Sequence, residues 1–306
     1  MTDLANVEAA FAFLGVPYGV PYDMRGVWSE AATAPDAIRS CSWDQGYAQE
    51  LHHFDFDLGG PLMPSGDANP AIVDCGDVRG DPRDLERTRE RATEAVRRII
   101  AAGAMPLVVG GDDSIPPLVV RAFEGHGTLN LLHVDAHIDF REEVRGVRDG
   151  YSSPIRRIRG LPWIGRVVQV GMRGTGSARR REVDEALAAG NVIVPASVVH
   201  DEGIAALDRH LVDDAPWFVS IDVDGLDPSV APGTGYPEPG GLTFRQVAGL
   251  IDTIGLRGLL AGVDVTEIYP SKDVRGLTAL VVLRLLMRAI GTAVRGSGDE
   301  RRVLPF

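Results

Sequence analysis

The amino-acid sequence predicts an α/β fold in which helices cover a parallel β-sheet. Short apolar segments alternate with helical patterns along nearly the whole chain. Several of these segments are continuous runs of valine, isoleucine and leucine, which is typical of parallel strands buried on both faces. Regular alternation of strand and helix favours right-handed β-α-β units, which build a parallel sheet.

Eight apolar segments have the length and composition of strands. The first, "FAFLGV", and the third, "MPLVVGG", show the pattern most simply, since they contain no charged residue. In order along the chain, the predicted strands cover residues 11–16, 71–76, 105–111, 128–137, 166–171, 191–195, 217–224 and 258–268.

Helical patterns occupy most of the intervals between these strands. The first carries the charged run "DLERTRERATEAVRR", which indicates a solvated face. The last contains Arg284 and Arg288, which lie four residues apart on one face of an amphipathic helix, so we do not expect it to span a membrane. The predicted helices cover residues 84–102, 114–124, 177–189, 197–212, 243–255 and 273–294.

Three long segments, 17–70, 140–165 and 225–242, have no regular pattern. Long loops in a compact α/β domain are usually functional. Ligands of such folds bind beyond the carboxyl ends of the strands. The residues that end each strand are therefore the first candidates for a functional site.

The composition is that of a globular protein, with 44% hydrophobic and 24% charged residues, and we expect a single domain over residues 1–306. The net charge of −12 argues against nucleic acid or an anionic membrane as a partner and favours a cationic substrate. Cys41 and Cys75 make no disulfide framework, and the N-terminus lacks the basic segment of a signal peptide. We therefore expect a cytoplasmic protein.

Acidic residues end four of the predicted strands. The endings are, in order, "GGDDS" (110–114), "DAHID" (135–139), "SIDVDGLD" (220–227) and "GVDVTEIYP" (262–270). Side chains alternate along an extended segment, so we expect Asp135, His137 and Asp139 to point the same way. Asp222 and Asp224 would share a face for the same reason.

Acids that converge on one edge of a sheet require cations, because burying unpaired charge is costly. One acidic strand end would be interpreted as a solvated turn, but three or four together favour a metal site over a chance group of surface acids. Oxygen-rich ligands with one imidazole suit Mn²⁺ or a similar divalent ion. Two ions roughly 3.5–4 Å apart can share carboxylates and a water, which makes hydroxide available near neutral pH.

These motifs closely resemble those of the ureohydrolase family, which includes arginase, agmatinase and guanidinobutyrase. "SIDVDGLDPSVAPGTGYPEPGG" (220–241) is the most specific match and "DAHID" the second, while "DCGDV" (74–78), "GGDDS" and "DVTEIYP" (264–270) have the expected order and spacing. The resemblance covers almost the whole chain. It implies a three-layer αβα sandwich around an eight-stranded parallel sheet, and assembly as trimers or hexamers. It also implies release of urea from a guanidino compound with two Mn²⁺ ions, or with Ni²⁺ or another divalent ion in their place.

The resemblance also implies roles for single residues. Asp135 and Asp222 correspond to ligands that bridge the two ions. Asp139 would complete one ion site and take part in catalysis, while His137 and Asp224 would complete the other.

Two positions depart from the family pattern. The family normally has Gly-Gly-Asp-His-Ser where this chain has "GGDDS". Asp113 therefore stands at the position of a metal-binding histidine and is the sixth candidate ligand. We expect Asp112 to stabilise the turn or to lie behind the ligands. Tyr151, in "DGYSSPIRR", stands where relatives have a histidine thought to shuttle protons. With an ordinary pKa near 10, a tyrosine is a poor base at pH 7 but a possible proton donor.

Asp113 also changes the charge of the centre. Four aspartates balance two divalent ions, whereas five leave a formal charge of −1. We expect the extra charge to hinder formation of hydroxide or to shift the preferred metal, and to favour a cationic substrate.

Three other residues are candidates at the substrate side of the site. Glu267 resembles the family carboxylate that receives the guanidinium, which makes it both a catalytic and a substrate-binding candidate. Arg141 either pairs with a substrate carboxylate or is a solvated loop residue, and the sequence leaves both open. His133 precedes Asp135 by two positions and would face the site, but we favour a hydrogen-bonded core histidine.

Three functions fit these observations. The first is an agmatinase-like metallohydrolase that cleaves a guanidino C–N bond of agmatine or a related compound. The second keeps the metal site but acts on another amidine, such as a formimino compound or a small substituted guanidine. The third is a catalytically weak partner subunit; we place it last, because a decayed site would more often have an apolar or amide residue in place of Asp113.

Overall fold

The structure is a computed structural model that describes residues 4, 7–20, 22, 30–44, 53–62, 72–81, 83–175 and 178–296. Its strands are β1 (Phe11–Val16), β2 (Phe54–Asp55), β3 (Gly60–Pro61), β4 (Ile72–Asp77), β5 (Met105–Gly110), β6 (Leu129–Val134), β7 (Ile164–Met172), β8 (Val192–Pro195), β9 (Trp217–Asp222) and β10 (Leu260–Thr266). Eight of them form one sheet in the order β4-β1-β5-β10-β9-β6-β7-β8, and each neighbouring pair is parallel. The short strands β2 and β3 pair separately as an antiparallel hairpin.

Helices cover both faces of the sheet. They are α1 (Ala34–Asp44), α2 (Leu85–Ala101), α3 (Pro116–Arg121), α4 (Pro154–Arg159), α5 (Arg180–Ala188), α6 (Ala196–Glu202), α7 (Phe244–Gly255) and α8 (Leu277–Gly296). Val109 and Val219 of the sheet belong to one core, with α1, α6, α7 and α8, while Val108 and Leu131 belong to a second core, with α2, α3 and α4. This arrangement confirms the expected three-layer αβα sandwich with an eight-stranded parallel sheet.

Helix α8 is long and apolar enough to cross a membrane by length and composition, but 72% of that window is buried inside the protein. Its Arg288 donates through Nε and Nη2 to the two carboxylate oxygens of Asp252 in α7, at 2.6 Å each. Nη1 of Arg288 also donates to Asp55, at 2.9 Å. A buried arginine with two carboxylate partners is typical of a core helix, since an unpaired charge there would be costly.

Most predicted elements are present, and the differences have local causes. The helix predicted over 197–212 is wrong in length, because Gly203 has a φ of +75° and ends α6. A separate 3-10 turn, Ile204–Leu207, follows. Two helices lie in segments for which no regular structure was predicted: α1, and the six-residue α4, which is too short to show a helical period.

Candidate metal centre

Four neighbouring strands deliver acidic residues to one edge of the sheet. Strands β5, β10, β9 and β6 lie side by side and run parallel, so their carboxyl ends meet. At or just beyond these ends lie Asp113, Glu267, Asp222 and Asp135, none of which is more than 3% exposed. These carboxylates are therefore inside the protein, and a solvated turn does not account for them.

Tight turns bring the predicted ligands together. Strand β6 ends at Val134, and the backbone N–H of His137 donates to Asp135 Oδ1 at 2.6 Å. Strand β9 ends at Asp222, whose Oδ1 accepts from the backbone N–H of Asp224 at 2.8 Å. The predicted continuation of both strands is wrong, because each carboxylate binds the amide two residues ahead and turns the chain.

One potential ion position lies between Asp135, His137 and Asp224, here called the His137 group. His137 Nδ1 lies 3.3 Å from Asp135 Oδ1 and 3.2 Å from Asp224 Oδ2. The other oxygen of Asp224 accepts from the backbone N–H of Ala136 at 3.1 Å, which turns Oδ2 toward the imidazole. Although burial opposes it, the carboxylates of Asp135 and Asp224 raise the pKa of His137 to about 12, so the group attracts positive charge.

A second potential position lies between Asp113, His133 and Asp135, here called the Asp113 group. His133 Nε2 lies 3.1 Å from Asp135 Oδ2 and 3.8 Å from Asp113 Oδ2. Asp113 Oδ2 and Asp135 Oδ2 are both buried and have no hydrogen-bond partner. Buried polar atoms are normally paired, so an unpaired set that converges fits a cation. Asp135 belongs to both groups, with one oxygen in each, as a bridging ligand would.

Asp139 and Asp222 lie against these two groups. Burial and the negative charges of Asp135 and Asp113 raise the pKa of Asp139 well above its usual range. Burial and the charges of Asp224 and Asp135 do the same for Asp222. Carboxylates so close together repel one another unless cations lie between them. The donor set therefore fits two divalent ions: the two groups contain four of the six predicted ligands, and the charges of Asp135 and its neighbours act on the other two, Asp139 and Asp222.

Glu267 is held in an unusual backbone conformation at the same edge. Its φ is +61°, a value that costs energy for a residue other than glycine. Its backbone N–H donates to Gly111 O at 2.9 Å, and its Oε1 accepts from the backbone N–H of Asp113 at 3.0 Å. Oε2 is buried without a partner. Glu267 therefore offers one carboxylate oxygen beside the Asp113 group.

Tyr151 lies in an aromatic cluster with Tyr22 and Tyr236. Its ring centre is 4.4 Å from that of Tyr22, and its hydroxyl is 3.2 Å from the hydroxyl of Tyr236. Burial and the Tyr236 hydroxyl raise the pKa of Tyr151 above its ordinary value, which excludes the phenol as a general base near neutral pH. Arg141 lies in the same loop, where its backbone N–H donates to Ser152 O at 3.0 Å, and it belongs to neither ligand group.

Two other aspartates of the motifs shape loops. Asp112 Oδ1 accepts from the backbone N–H of Ser114 at 3.0 Å and from its hydroxyl at 2.5 Å, which closes the turn after β5. Asp227 Oδ2 accepts from the backbone N–H groups of Gly240 and Gly241 at 2.8 and 3.1 Å. Asp227 therefore closes the segment 227–241.

Two residues that support the site were not singled out in the sequence. Thr266 Oγ1 donates to Asp113 Oδ1 at 2.7 Å and leaves Oδ2 for the Asp113 group. Arg173 Nη2 donates to the backbone oxygens of Asp224 and Glu238 at 2.6 Å each and so ties the ligand turn to the long loop. Both act through contacts between distant segments, which a single sequence does not display.

Comparison with known proteins agrees with this site. Residues 11–291 match the Arginase family. The mitochondrial agmatinase of Gallus gallus is 37% identical over 226 residues, which are 72% of this chain and 66% of that protein. The guanidinopropionase of Pseudomonas aeruginosa is 39% identical over 219 residues, 69% of this chain and 67% of that protein. The chain thus spans about two thirds of the length of these two relatives.

The fold comparison covers more of the chain. The structure of proclavaminate amidino hydrolase from Streptomyces clavuligerus has a TM-score of 0.75 and 28% sequence identity to this chain, and the alignment covers 96% of this chain and 94% of that one. The family match extends over nearly the whole sheet and both ligand groups. The chain therefore belongs to the arginase family of enzymes, which hydrolyse guanidino compounds and depend on two metal ions.

Proposed function

We propose that this protein hydrolyses a guanidino C–N bond of a small cationic compound, with agmatine as the first candidate, and releases urea. The observation that carries the proposal is the pair of ligand groups that share Asp135, with the unpaired oxygen of Glu267 beside them. Two divalent ions, Mn²⁺ before Ni²⁺, would be held by the six ligands named above and would supply a nucleophilic hydroxide near neutral pH.

Three residues would bind the substrate and transfer protons. Glu267 Oε2 would accept N–H groups of the guanidinium, since its other oxygen is already bound by the backbone N–H of Asp113. Asp139, buried beside Asp135 and Asp113, would hold an ion and take the proton of the attacking water. The Tyr151 hydroxyl would give a proton to the leaving amine and recover it through Tyr236, which is 55% exposed.

The identity of the substrate's tail depends on residues outside the ligand groups. The relatives named above act on different compounds, by their names, at similar identity to this chain. The concentration of buried acids favours a tail without a carboxylate, such as that of agmatine. Arg141 would favour the opposite, a tail with a carboxylate, if its guanidinium binds substrate.

A urea-release assay over agmatine, arginine, guanidinobutyrate, guanidinopropionate and guanidine, with Mn²⁺ and Ni²⁺ compared, tests the proposal. We expect the highest kcat/KM with agmatine and Mn²⁺. Glu267→Gln should lose activity by orders of magnitude while it still binds both ions, because it leaves the six ligands intact. If the protein binds ions but releases urea from none of these compounds, its substrate is another amidine. If it binds no ion, the third function, a catalytically weak partner subunit, is favoured.

We also propose that the protein is a cytoplasmic homo-oligomer, a trimer or a hexamer, as the resemblance implies. Light scattering on the purified protein measures the molar mass directly, and a value near the 32.8 kDa of one chain would contradict the proposal.

A further inference from the structure

The two ring nitrogens of His133 face opposite environments. Nε2 faces Asp135 Oδ2 and Asp113 Oδ2, at 3.1 and 3.8 Å, and Nδ1 lies 3.4 Å from Gln169 Nε2. The imidazole is fully buried. Its place in the Asp113 group allows two roles. It either supplies the imidazole that Asp113 lacks, as a ligand of the ion, or it donates an N–H to the carboxylates that hold the ion.

The hydrogen bonds of Gln169 decide between these roles. Gln169 is the register partner of His133 on strand β7. Its Nε2 donates to Ile138 O at 2.8 Å, and its Oε1 accepts from Asn191 Nδ2 at 2.9 Å. The carbonyl oxygen of Ile138 fixes the orientation of the amide, because exchanging the oxygen and nitrogen of Gln169 would place two oxygens in contact. The atom that faces His133 Nδ1 is therefore an N–H donor.

The N–H donor of Gln169 that faces Nδ1 determines which ring nitrogen of His133 carries the proton. A histidine that binds a metal through Nε2 normally donates Nδ1–H to an oxygen. Here Nδ1 lies 3.4 Å from an amide N–H and takes the place of the acceptor nitrogen, so the ring N–H is the one at Nε2. Nε2–H then lies beside the carboxylate oxygens of Asp135 and Asp113, which could accept it while they bind an ion through their other lone pairs.

We propose that His133 is a positioning residue and not an ion ligand, so that carboxylate oxygens alone hold the ion of the Asp113 group, while the ion of the His137 group has an imidazole. The two positions are then chemically unequal. Oxygen-only ligands suit Mg²⁺ and Mn²⁺, whereas imidazole raises the preference for Ni²⁺ and Zn²⁺. The inference rests on the two-ion site of the proposed function but not on its substrate.

Anomalous diffraction identifies which metal occupies each of the two ion positions. Crystals of the whole protein, loaded with equal amounts of Mn²⁺ and Ni²⁺, would be measured at the absorption edges of both metals. We expect Mn²⁺ beside Asp113, enrichment of Ni²⁺ beside His137, and no ion bonded to His133. An ion about 2.1 Å from His133 Nε2, or an equal share of Ni²⁺ at both positions, would overturn the proposal.

A pair of variants tests the role of the N–H in solution. His133→Gln keeps a side-chain N–H donor, and His133→Leu removes it at similar bulk. Titration calorimetry with Mn²⁺ should show an affinity near that of the unaltered protein for the glutamine variant and a loss of about 10–100-fold for the leucine variant. Equal affinities of the two variants would contradict a donor role.

The proton itself can be located with ¹⁵N-labelled histidine in protein loaded with diamagnetic Mg²⁺. We expect a one-bond coupling between Nε2 of His133 and its proton, and a signal of a bare nitrogen at Nδ1; the reverse assignment would overturn the proposal. None of these measurements contains substrate. Absence of urea release would therefore count against the proposed function alone.

Discussion

Asp113 has its two carboxylate oxygens in different environments. Oδ1 accepts from Thr266 Oγ1 at 2.7 Å, and Oδ2 is buried without a hydrogen-bond partner in the Asp113 group. The bond to Thr266 fixes the rotation of the carboxylate, so the unpaired oxygen has one direction in which to bind an ion. An aspartate at this position would therefore still bind a metal ion, and it adds a negative charge that the histidine expected from the resemblance would not.

Asp113→His should lower the pH at which activity appears and raise the share of Ni²⁺ in the isolated protein. One negative charge fewer lets the nucleophilic water lose its proton more readily, and an added imidazole favours Ni²⁺. The pH–rate profile and elemental analysis measure the two effects. Asp201→His, at an exposed aspartate, is the matched control. If the profile and the metal content both stay unchanged, the extra charge of Asp113 does not tune the centre.

At the scale of elements, the strands were predictable because their apolar runs are buried on both faces and need no distant partner to be recognised. Among the strand ends, predicted and observed bounds differ most at β6, which was expected to reach 137 and ends at Val134. The cause is the side-chain bond from Asp135 to the amide of His137, a competition with strand pairing that periodicity does not show. The candidate ligands were predictable nevertheless, because their motifs mark the turns as well as the strands.

One helix and the role of one histidine were not predicted, and the two cases have different reasons. Helix α1 was missed although Ala34, Ile38 and Cys41 repeat at helical spacing, so the signal for it was available. His133 was interpreted as a hydrogen-bonded core histidine, and its position in the Asp113 group is the less favoured of the two alternatives. Its role depends on Gln169, 36 residues away, and on the partners of that amide. No local sequence pattern shows this contact between His133 and Gln169.

The loop between Asp227 and Gly241 makes stability depend on pH in a defined direction. The Ser229 hydroxyl, together with backbone N–H groups of Ser229, Gly241 and Gly240, lowers the pKa of Asp227 to about 2. The folded pKa lies below the unfolded value of about 3.9, so the ionised carboxylate stabilises the fold above that value. This contribution is lost as the pH falls through about 2.

Asp227→Asn should therefore lower the free energy of unfolding at pH 7, and the difference from the unaltered protein should shrink between about pH 4 and pH 2. Denaturant unfolding at pH 7, 5, 4 and 3 measures this difference. Asp201→Asn, which removes a charge from an exposed residue of α6, should show no such dependence. A constant difference at every pH would mean that Asp227 acts through the shape of its side chain and not through its charge.

At the scale of the whole molecule, the sheet brings its negative charges together at one edge. The order β5-β10-β9-β6 places acids from four distant parts of the sequence side by side, in a protein whose net charge is already −12. Burial and the neighbouring carboxylates raise the pKa of Asp139, Asp222 and Glu267 well above their usual ranges. Without ions, we expect these carboxylates to destabilise the fold by mutual repulsion, a cost that functional sites commonly carry.

Asp222→Asn should have opposite effects on the protein with and without metal. Without ions, the loss of a buried charge beside Asp224 and Asp135 should raise the melting temperature, because it removes repulsion. Ions bind the native state and not the unfolded chain, so each site adds about 2.7 kcal/mol at a concentration 100 times its Kd, which corresponds to several degrees. The variant lacks a ligand and should gain less from Mn²⁺.

Thermal unfolding in the presence of a chelator and of excess Mn²⁺ measures both effects in one series. Asp201→Asn again serves as control, since it should respond to Mn²⁺ as the unaltered protein does. If Asp222→Asn melts at a lower temperature than the unaltered protein in chelator, the carboxylate has a structural partner and repulsion is not the dominant cost at this edge. If Mn²⁺ raises the melting temperature of both proteins equally, Asp222 is not a ligand, and the two-ion site has to be assigned without it.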